Sequence, residues 1–251
     1  MDSILLFKQN NFSKTIWWKS KTNLKGYKNQ TGPDLVTEIV KGRVFKIADH
    51  TLSPSKLLNK SRILVQFFED GYICWIDIDQ LNIDKVDIVK HYQILLDQLS
   101  IQKKIPKILE WIQIQSKRPN KYLWGGTIGP NYDCSGLIQT AFFLNQIYMP
   151  RDSYQMQVFC KHLFYFSDDN IEIKMGDILF FGPNKRCNHV GIYYKDGYYF
   201  HSSGQDNGRN GIALDSINQS NSDDSISKYY RSILISVGRV IRSYQWNKTI
   251  R

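Results

Sequence analysis

Apolar positions along the chain fall into two regimes. From Leu35 to Ile76, short runs rich in β-branched and aromatic residues alternate with tight turns. Leu35–Val40 and Arg43–Ile47 flank Lys41-Gly42 and read as a hairpin; Ile63–Phe68 and Tyr72–Ile76 flank Glu69-Asp70-Gly71. Short strands with tight turns predict a small β-barrel. The period changes near Lys104. Ile105, Ile108, Leu109 and Ile112 recur at i, i+3, i+4 and i+7, one face of a helix that starts with Pro106 in its first turn and stops before Pro119. A second helical run holds Leu137, Ile138, Ala141, Phe142 and Leu144, and Met149–Met156 ends the helical region. Met175–Gly182 reads as a turn entering a buried strand, and strand patterns follow at Asn188–Tyr194 and Tyr198–Gly204; Arg239–Arg242 is expected to close the sheet, and Asn218–Ser227 reads as a polar loop. The fold class is therefore α+β, with a β-rich segment over residues 1–92 and a helix-then-antiparallel-sheet domain over residues 93–251.

Between the two helical runs lies Tyr122–Leu137, Y-L-W-G-G-T-I-G-P-N-Y-D-C-S-G-L. Glycines at 125, 126 and 129 with Pro130 make this an irregular loop. Asp133 suits an N-cap, which places Cys134 at a helix N-terminus, where the helix dipole favours the thiolate. The alternative is a buried structural cysteine. Two histidines change the balance: His189 and His201 flank the hairpin turn Asp196-Gly197 and can share one sheet face. One imidazole beside a thiol can take its proton, and a second can orient the first.

The remaining composition narrows the reading. The chain of 251 residues has 42% hydrophobic and 14% aromatic residues, which excludes a disordered protein. The +10 formal charge comes from lysines spread along the chain, and with no basic stripe or nucleic-acid motif, no nucleic-acid partner is expected. No apolar run is long enough to span a bilayer, and Met1–Lys8 lacks the features of a secretory signal. Cys74, Cys134, Cys160 and Cys187 show no framework spacing, so free thiols and a cytoplasmic location are expected. Cys160-Lys161-His162 and Cys187-Asn188-His189 raise a zinc reading, but neither is a structural-zinc spacing; no metal and no cofactor are expected.

Taken together, Y-L-W-G-G, D-C-S-G-L, P-R-D, M-G-D-I-L-F-F, H-V-G-I-Y and H-S-S-G resemble, in order and spacing, the NlpC-type cell-wall cysteine peptidases, over about residues 105–242. The resemblance implies a papain-like core. The N-terminal β segment is similar to the bacterial SH3 domain of one branch, the γ-D-glutamyl-L-diamino-acid endopeptidases, with Glu69-Asp70-Gly71-Tyr72 and Gly129-Pro130-Asn131-Tyr132 looking most like its cyanobacterial members. It implies Cys134 as nucleophile, His189 as general base, His201 as orienter and Tyr122 as an oxyanion donor. It implies Asp133, Ser135, Asp152 and Ser153, with Glu69 and Tyr72 of the β domain, as the pocket for a substrate's free L-Ala amine. Met156 stands where the family pattern has a second Gln. The implied enzyme is a monomer that hydrolyses the γ-D-Glu to diamino-acid bond of murein peptides in recycling. An amidase or acyltransferase on the same residues, or a non-catalytic wall-binding module, stays open beside it.

Overall fold

The computed structural model describes residues 16–48, 61–86, 95–165, 172–206, 208–221 and 224–246. The chain divides into two units: residues 1–93 with 245–251, and residues 94–244. The expected boundary at 92/93 lies outside the described residues, as do the first apolar run near the N-terminus and most of the loop from His50.

The first unit is a seven-stranded antiparallel sheet. In chain order its strands are β1 (Trp17–Ser20), β2 (Leu24–Tyr27), β3 (Leu35–Ile39), β4 (Val44–Ile47), β5 (Arg62–Phe67), β6 (Ile73–Asp77) and β7 (Ile83–Val86). Their spatial order is β3-β2-β6-β5-β4-β1-β7. Alternation in β5 and β6 buries Ile63, Val65, Phe67, Cys74 and Ile76 on one face, where they meet Trp18, Leu24, Ile39 and Phe45. Such a sheet is compatible with an SH3-like domain. The expected hairpin between Leu35 and Ile47 does not form. Gly42, at φ +99°, does turn the chain, but β3 pairs with β2 whereas β4 pairs with β1 and β5. A short alternating run with a glycine turn specifies strands, not which neighbour each finds.

Glu69 and Tyr72 lie at the turn between β5 and β6. The Arg43 guanidinium donates Nε to Glu69 Oε2 at 3.1 Å and Nη2 to Asp70 Oδ2 at 2.9 Å, and Val44 N–H donates to Glu69 Oε1 at 3.0 Å. Glu69 is thus buried, with both carboxyl oxygens engaged inside its own unit. Tyr72 is half-buried against the sheet core, with its N–H on Asp70 Oδ1. From the C-terminal end, Trp246 closes over this turn: its indole N–H donates to Phe68 O at 2.9 Å, and its ring fills the space that a side chain at Gly71 (φ +69°) would need.

The second unit places helices ahead of a sheet. Its elements are α1 (Gln98–Ser116), α2 (Cys134–Phe143), α3 (Ser153–Phe159), β8 (Lys161–Tyr165), β9 (Ile178–Phe181), β10 (His189–Lys195), β11 (Tyr198–Ser203), β12 (Gly211–Ser216), α4 (Ser225–Ser232) and β13 (Leu234–Arg239). The six strands are all antiparallel, in the order β12-β11-β10-β9-β13-β8. This is the expected α+β class.

Three boundaries differ from expectation. Helix α1 begins at Gln98, capped by Asp97, so Pro106 sits mid-helix and not in the first turn. An interior proline costs about 3 kcal/mol. Burial of Ile101, Ile105, Ile108, Leu109 and Ile112, each worth ~1.5–3 kcal/mol, outweighs it. The last strand is β13, ending where Arg239–Arg242 was expected to begin, and it lies inside the sheet between β9 and β8. Helix α4 starts inside the expected polar loop: Asp224 caps it by accepting from Ile226 and Ser227 N–H at 3.0 and 3.2 Å. The M-G-D motif proves architectural. Gly176 (φ +87°) packs its bare Cα against Ile105, and the buried Asp177 carboxylate takes both Nε and Nη2 of Arg239 at 2.6 and 2.7 Å.

Candidate active site

The Gly-rich loop is drawn onto the start of α2 by backbone contacts that only glycine allows. A Cβ on Gly136 would lie 2.1 Å from Gly126 O, and one on Gly126 would lie 2.5 Å from Asn131 O. Asp133 N–H donates to Gly126 O at 3.1 Å, closing the loop. Asp133 adopts extended backbone (φ −83°, ψ 177°) and caps α2 through Gly136 N–H to Oδ1 at 2.6 Å. Cys134 is therefore the first residue of the helix, buried, with its thiol by the backbone N–H groups of Val190 and Ser135.

Asp133 has a partner that its sequence neighbours do not reveal. Arg151, 2% exposed, donates Nη1 to Asp133 Oδ1 at 3.1 Å and Nη2 to Oδ2, and Nη1 also reaches Ser135 Oγ at 2.9 Å. Gly125 N–H adds a bond to Oδ2 at 2.9 Å. Both Asp133 oxygens and the Ser135 hydroxyl are thus committed to holding loop, helix and guanidinium together. Asp152, half-buried, precedes α3, with Gln155 Oε1 accepting from its N–H at 3.3 Å. Ser153, buried, lies by the Cys187 thiol.

The hairpin β10–β11 delivers the histidines. Gly191 pairs with His201, so His189 stands two residues along β10 from that pair and on the same face. His189 Nε2 and His201 Nδ1 are 2.8 Å apart. His201 Nε2 in turn lies 2.8 Å from Asp215 Oδ2 on β12. Arg209 Nε donates to Asp215 Oδ1 at 3.0 Å, and its Nη2 reaches Asp224 Oδ1 at 2.9 Å. The His189 ring is flanked by Tyr230 (4.8 Å between centroids) and Phe181 (5.7 Å). Asp215, Arg209 and Tyr230 were not anticipated. The run G-I-A-L-D-S offered a short alternating strand with a carboxylate on it, and Arg151 stood in plain view within P-R-D.

Electrostatics favour the uncharged forms of Cys134 and His189. Burial, with the adjacent Asp133 charge, pushes the Cys134 thiol up to about 12; Arg151 and the N–H groups of Val190 and Ser135 oppose this without cancelling it. Burial, with His201 beside it, holds the His189 imidazole well below its usual value. The helix end therefore does not yield a standing thiolate: desolvation is the larger effect. Tyr122 is half-buried, and burial together with charge at Cys134 and Asp133 raises its phenol, so it remains a hydrogen-bond donor. Among the described residues, no group of three or more His, Cys, Asp or Glu could hold a metal ion, and no helix is long and apolar enough to cross a membrane.

A buried thiol at a helix start, by the N–H of Val190 next in the chain to His189, and paired imidazoles on a hairpin are the elements of a thiol–imidazole site. Residues 119–233, which contain all of these groups, match the NlpC/P60 family. A probable endopeptidase of Haemophilus influenzae is 33% identical over 102 residues, 39% of this chain and 56% of that protein. A gamma-D-glutamyl-L-lysine dipeptidyl-peptidase of Bacillus subtilis is 37% identical over 84 residues, 32% of this chain and 27% of that protein. The chain thus spans only about half or less of these relatives' length. A solved NlpC/P60 family protein from Bacillus cereus aligns with a TM-score of 0.46 at 15% identity, covering 92% of this chain and 65% of that one.

Proposed function

We propose that the protein is a cysteine endopeptidase of peptidoglycan-derived peptides, cleaving between γ-D-Glu and the diamino acid. The observation that carries this reading is the buried set of Cys134 at the start of α2 with His189 and His201 in hydrogen-bond contact. Sequence similarity to an enzyme named for the γ-D-glutamyl-L-lysine bond supports the choice of substrate.

The chemistry follows from the neutral pair. His189 takes the thiol proton as Cys134 Sγ attacks the γ-carbonyl carbon of D-Glu, so charge separates only as the bond forms. The Cys134 backbone N–H and the Tyr122 hydroxyl are assigned to the oxyanion; one such donor contributes ~3 kcal/mol in enzymes of this type. The imidazolium returns its proton to the departing α-amine of the diamino acid. A water molecule, deprotonated by His189, then cleaves the thioester and restores the thiol.

For the free L-Ala amine, Asp133, Ser135, Asp152 and Ser153 are the assigned contacts, of which Asp133 and Ser135 also bond Arg151. A cytoplasmic role in recycling released wall peptides fits a substrate with a free amine and the absence of pairing among four thiols. The test is mass spectrometry of products from L-Ala-γ-D-Glu-L-Lys and its N-acetylated form. The reading expects L-Ala-γ-D-Glu plus free lysine from the first and little from the second. Release of alanine, or no cleavage of either, contradicts it.

A further inference from the structure

We infer that Asp215, fixed by Arg209, is a positioning residue that sets the tautomers of both active-site histidines, so that the bare nitrogen of His189 is Nδ1. The inference rests on the reading of His189 as the base. Burial alone would keep the Asp215 carboxyl protonated, but hydrogen bonds from His201 and Arg209 outweigh burial and hold it below its ordinary range. An ionised carboxylate only accepts. His201 must therefore carry its proton on Nε2, 2.8 Å from Asp215 Oδ2. His201 Nδ1 then faces His189 Nε2 at 2.8 Å, and we take it as the acceptor of that pair. His189 must donate from Nε2, which leaves Nδ1 unprotonated and able to receive the thiol proton. Once it has done so, the cation on His189 is stabilised through His201 by the charge at Asp215.

Arg209 gives the relay its direction. Its Nε and Nη2 both bond Asp215 Oδ1, with Nε reaching Oδ2 only at 3.4 Å, while Oδ2 lies 2.8 Å from His201 Nε2. A second arm to Asp224 ties β12 to the cap of α4, the helix that lays Tyr230 on His189. In Asp215→Asn, the Arg209 donors require the amide oxygen on their side and turn the amide N–H₂ toward His201 Nε2. His201 would then protonate on Nδ1 and His189 on Nδ1 as well, placing a proton where the base must be empty.

The test uses the full chain labelled with ¹⁵N. Two-bond proton–nitrogen correlation spectra at pH 7, assigned with His189→Gln, report which nitrogen of each imidazole bears the proton. The wild type should show His189 with its proton on Nε2, and Asp215→Asn should show it moved to Nδ1. Turnover of the tripeptide by Asp215→Asn should fall about 100-fold or more, with its melting temperature little changed. Removing the director should relieve the effect: Arg209→Ala/Asp215→Asn, in which the amide is free to rotate, should turn over about tenfold faster than Asp215→Asn alone. A wild-type His189 protonated on Nδ1 overturns the inference without any variant, and so does an unchanged tautomer in Asp215→Asn. Loss of activity in the double variant equal to or greater than in Asp215→Asn also counts against it. Should the wild type cleave no murein peptide, the functional reading falls while the spectra still decide the relay.

Discussion

Arg151 closes on Asp133 from the far side of the Cys134 helix cap, its Nη1 3.1 Å from Oδ1 and its Nη2 on Oδ2. A carboxylate next to a nucleophilic thiol is otherwise an obstacle, because its charge opposes the thiolate. Here it is neutralised by a guanidinium and by two backbone N–H groups, and its task is to join the Gly-rich loop, the helix start and the segment leading to α3. Removing one partner of such a buried pair strands the other. Arg151→Met should cost about 3–5 kcal/mol of stability, measured by urea unfolding. A loss below about 1 kcal/mol would mean that water compensates Asp133.

The raised thiol makes a prediction about reactivity. Because Cys134 stays protonated up to about 12, its alkylation by iodoacetamide should climb steadily from pH 6 to pH 10 with no plateau. Mass spectrometry of the labelled peptide gives the rate. A rate that is already flat at neutral pH would reveal a standing thiolate–imidazolium pair.

The depressed imidazole makes another. Folded His189 binds its proton only well below 6.5, whereas the unfolded chain binds it near 6.5. Between those two values the unfolded state holds more protons, so stability is full above 6.5 and falls as the pH drops toward the folded value. His189→Gln should flatten this part of the stability-against-pH curve, as urea midpoints would record. A wild-type curve that is already flat there would contradict a neutral buried imidazole. By the same shift, the acid limb of kcat/KM should lie below pH 6.5.

The other thiols should be dispensable to chemistry. Cys160 is buried at the end of α3, where its Cβ faces Gly238; Cys74 fills the first unit's core; Cys187 is pushed up to about 11, chiefly by burial. Each replaced by alanine should keep turnover within about threefold while costing ~1–2 kcal/mol of stability. A large drop in turnover from Cys187→Ala alone would give that thiol a part in the site.

What was legible in sequence was legible for local reasons. Asp133 as a cap and Cys134 as a helix start follow from neighbours within one turn. Asp196-Gly197 as a tight hairpin turn follows from two positive-φ positions in succession, and the shared face of His189 and His201 follows from that turn. The groups missed act across the fold. Arg151 meets Asp133 from eighteen residues away, and Asp215 meets His201 across a strand pair. The hairpin wrongly expected at Gly42 fails for the same reason: pairing partners are chosen by the whole sheet. Pro106 misled because a local rule was outvoted by five buried aliphatic side chains.

The central claim is that Cys134 forms the covalent bond to substrate. It is tested most directly by the turnover of Cys134→Ala on L-Ala-γ-D-Glu-L-Lys, with folding checked by circular dichroism. The account predicts a folded protein whose turnover is reduced by about 10⁴-fold or more. A folded Cys134→Ala protein that still cleaves at a rate near that of wild type would contradict it.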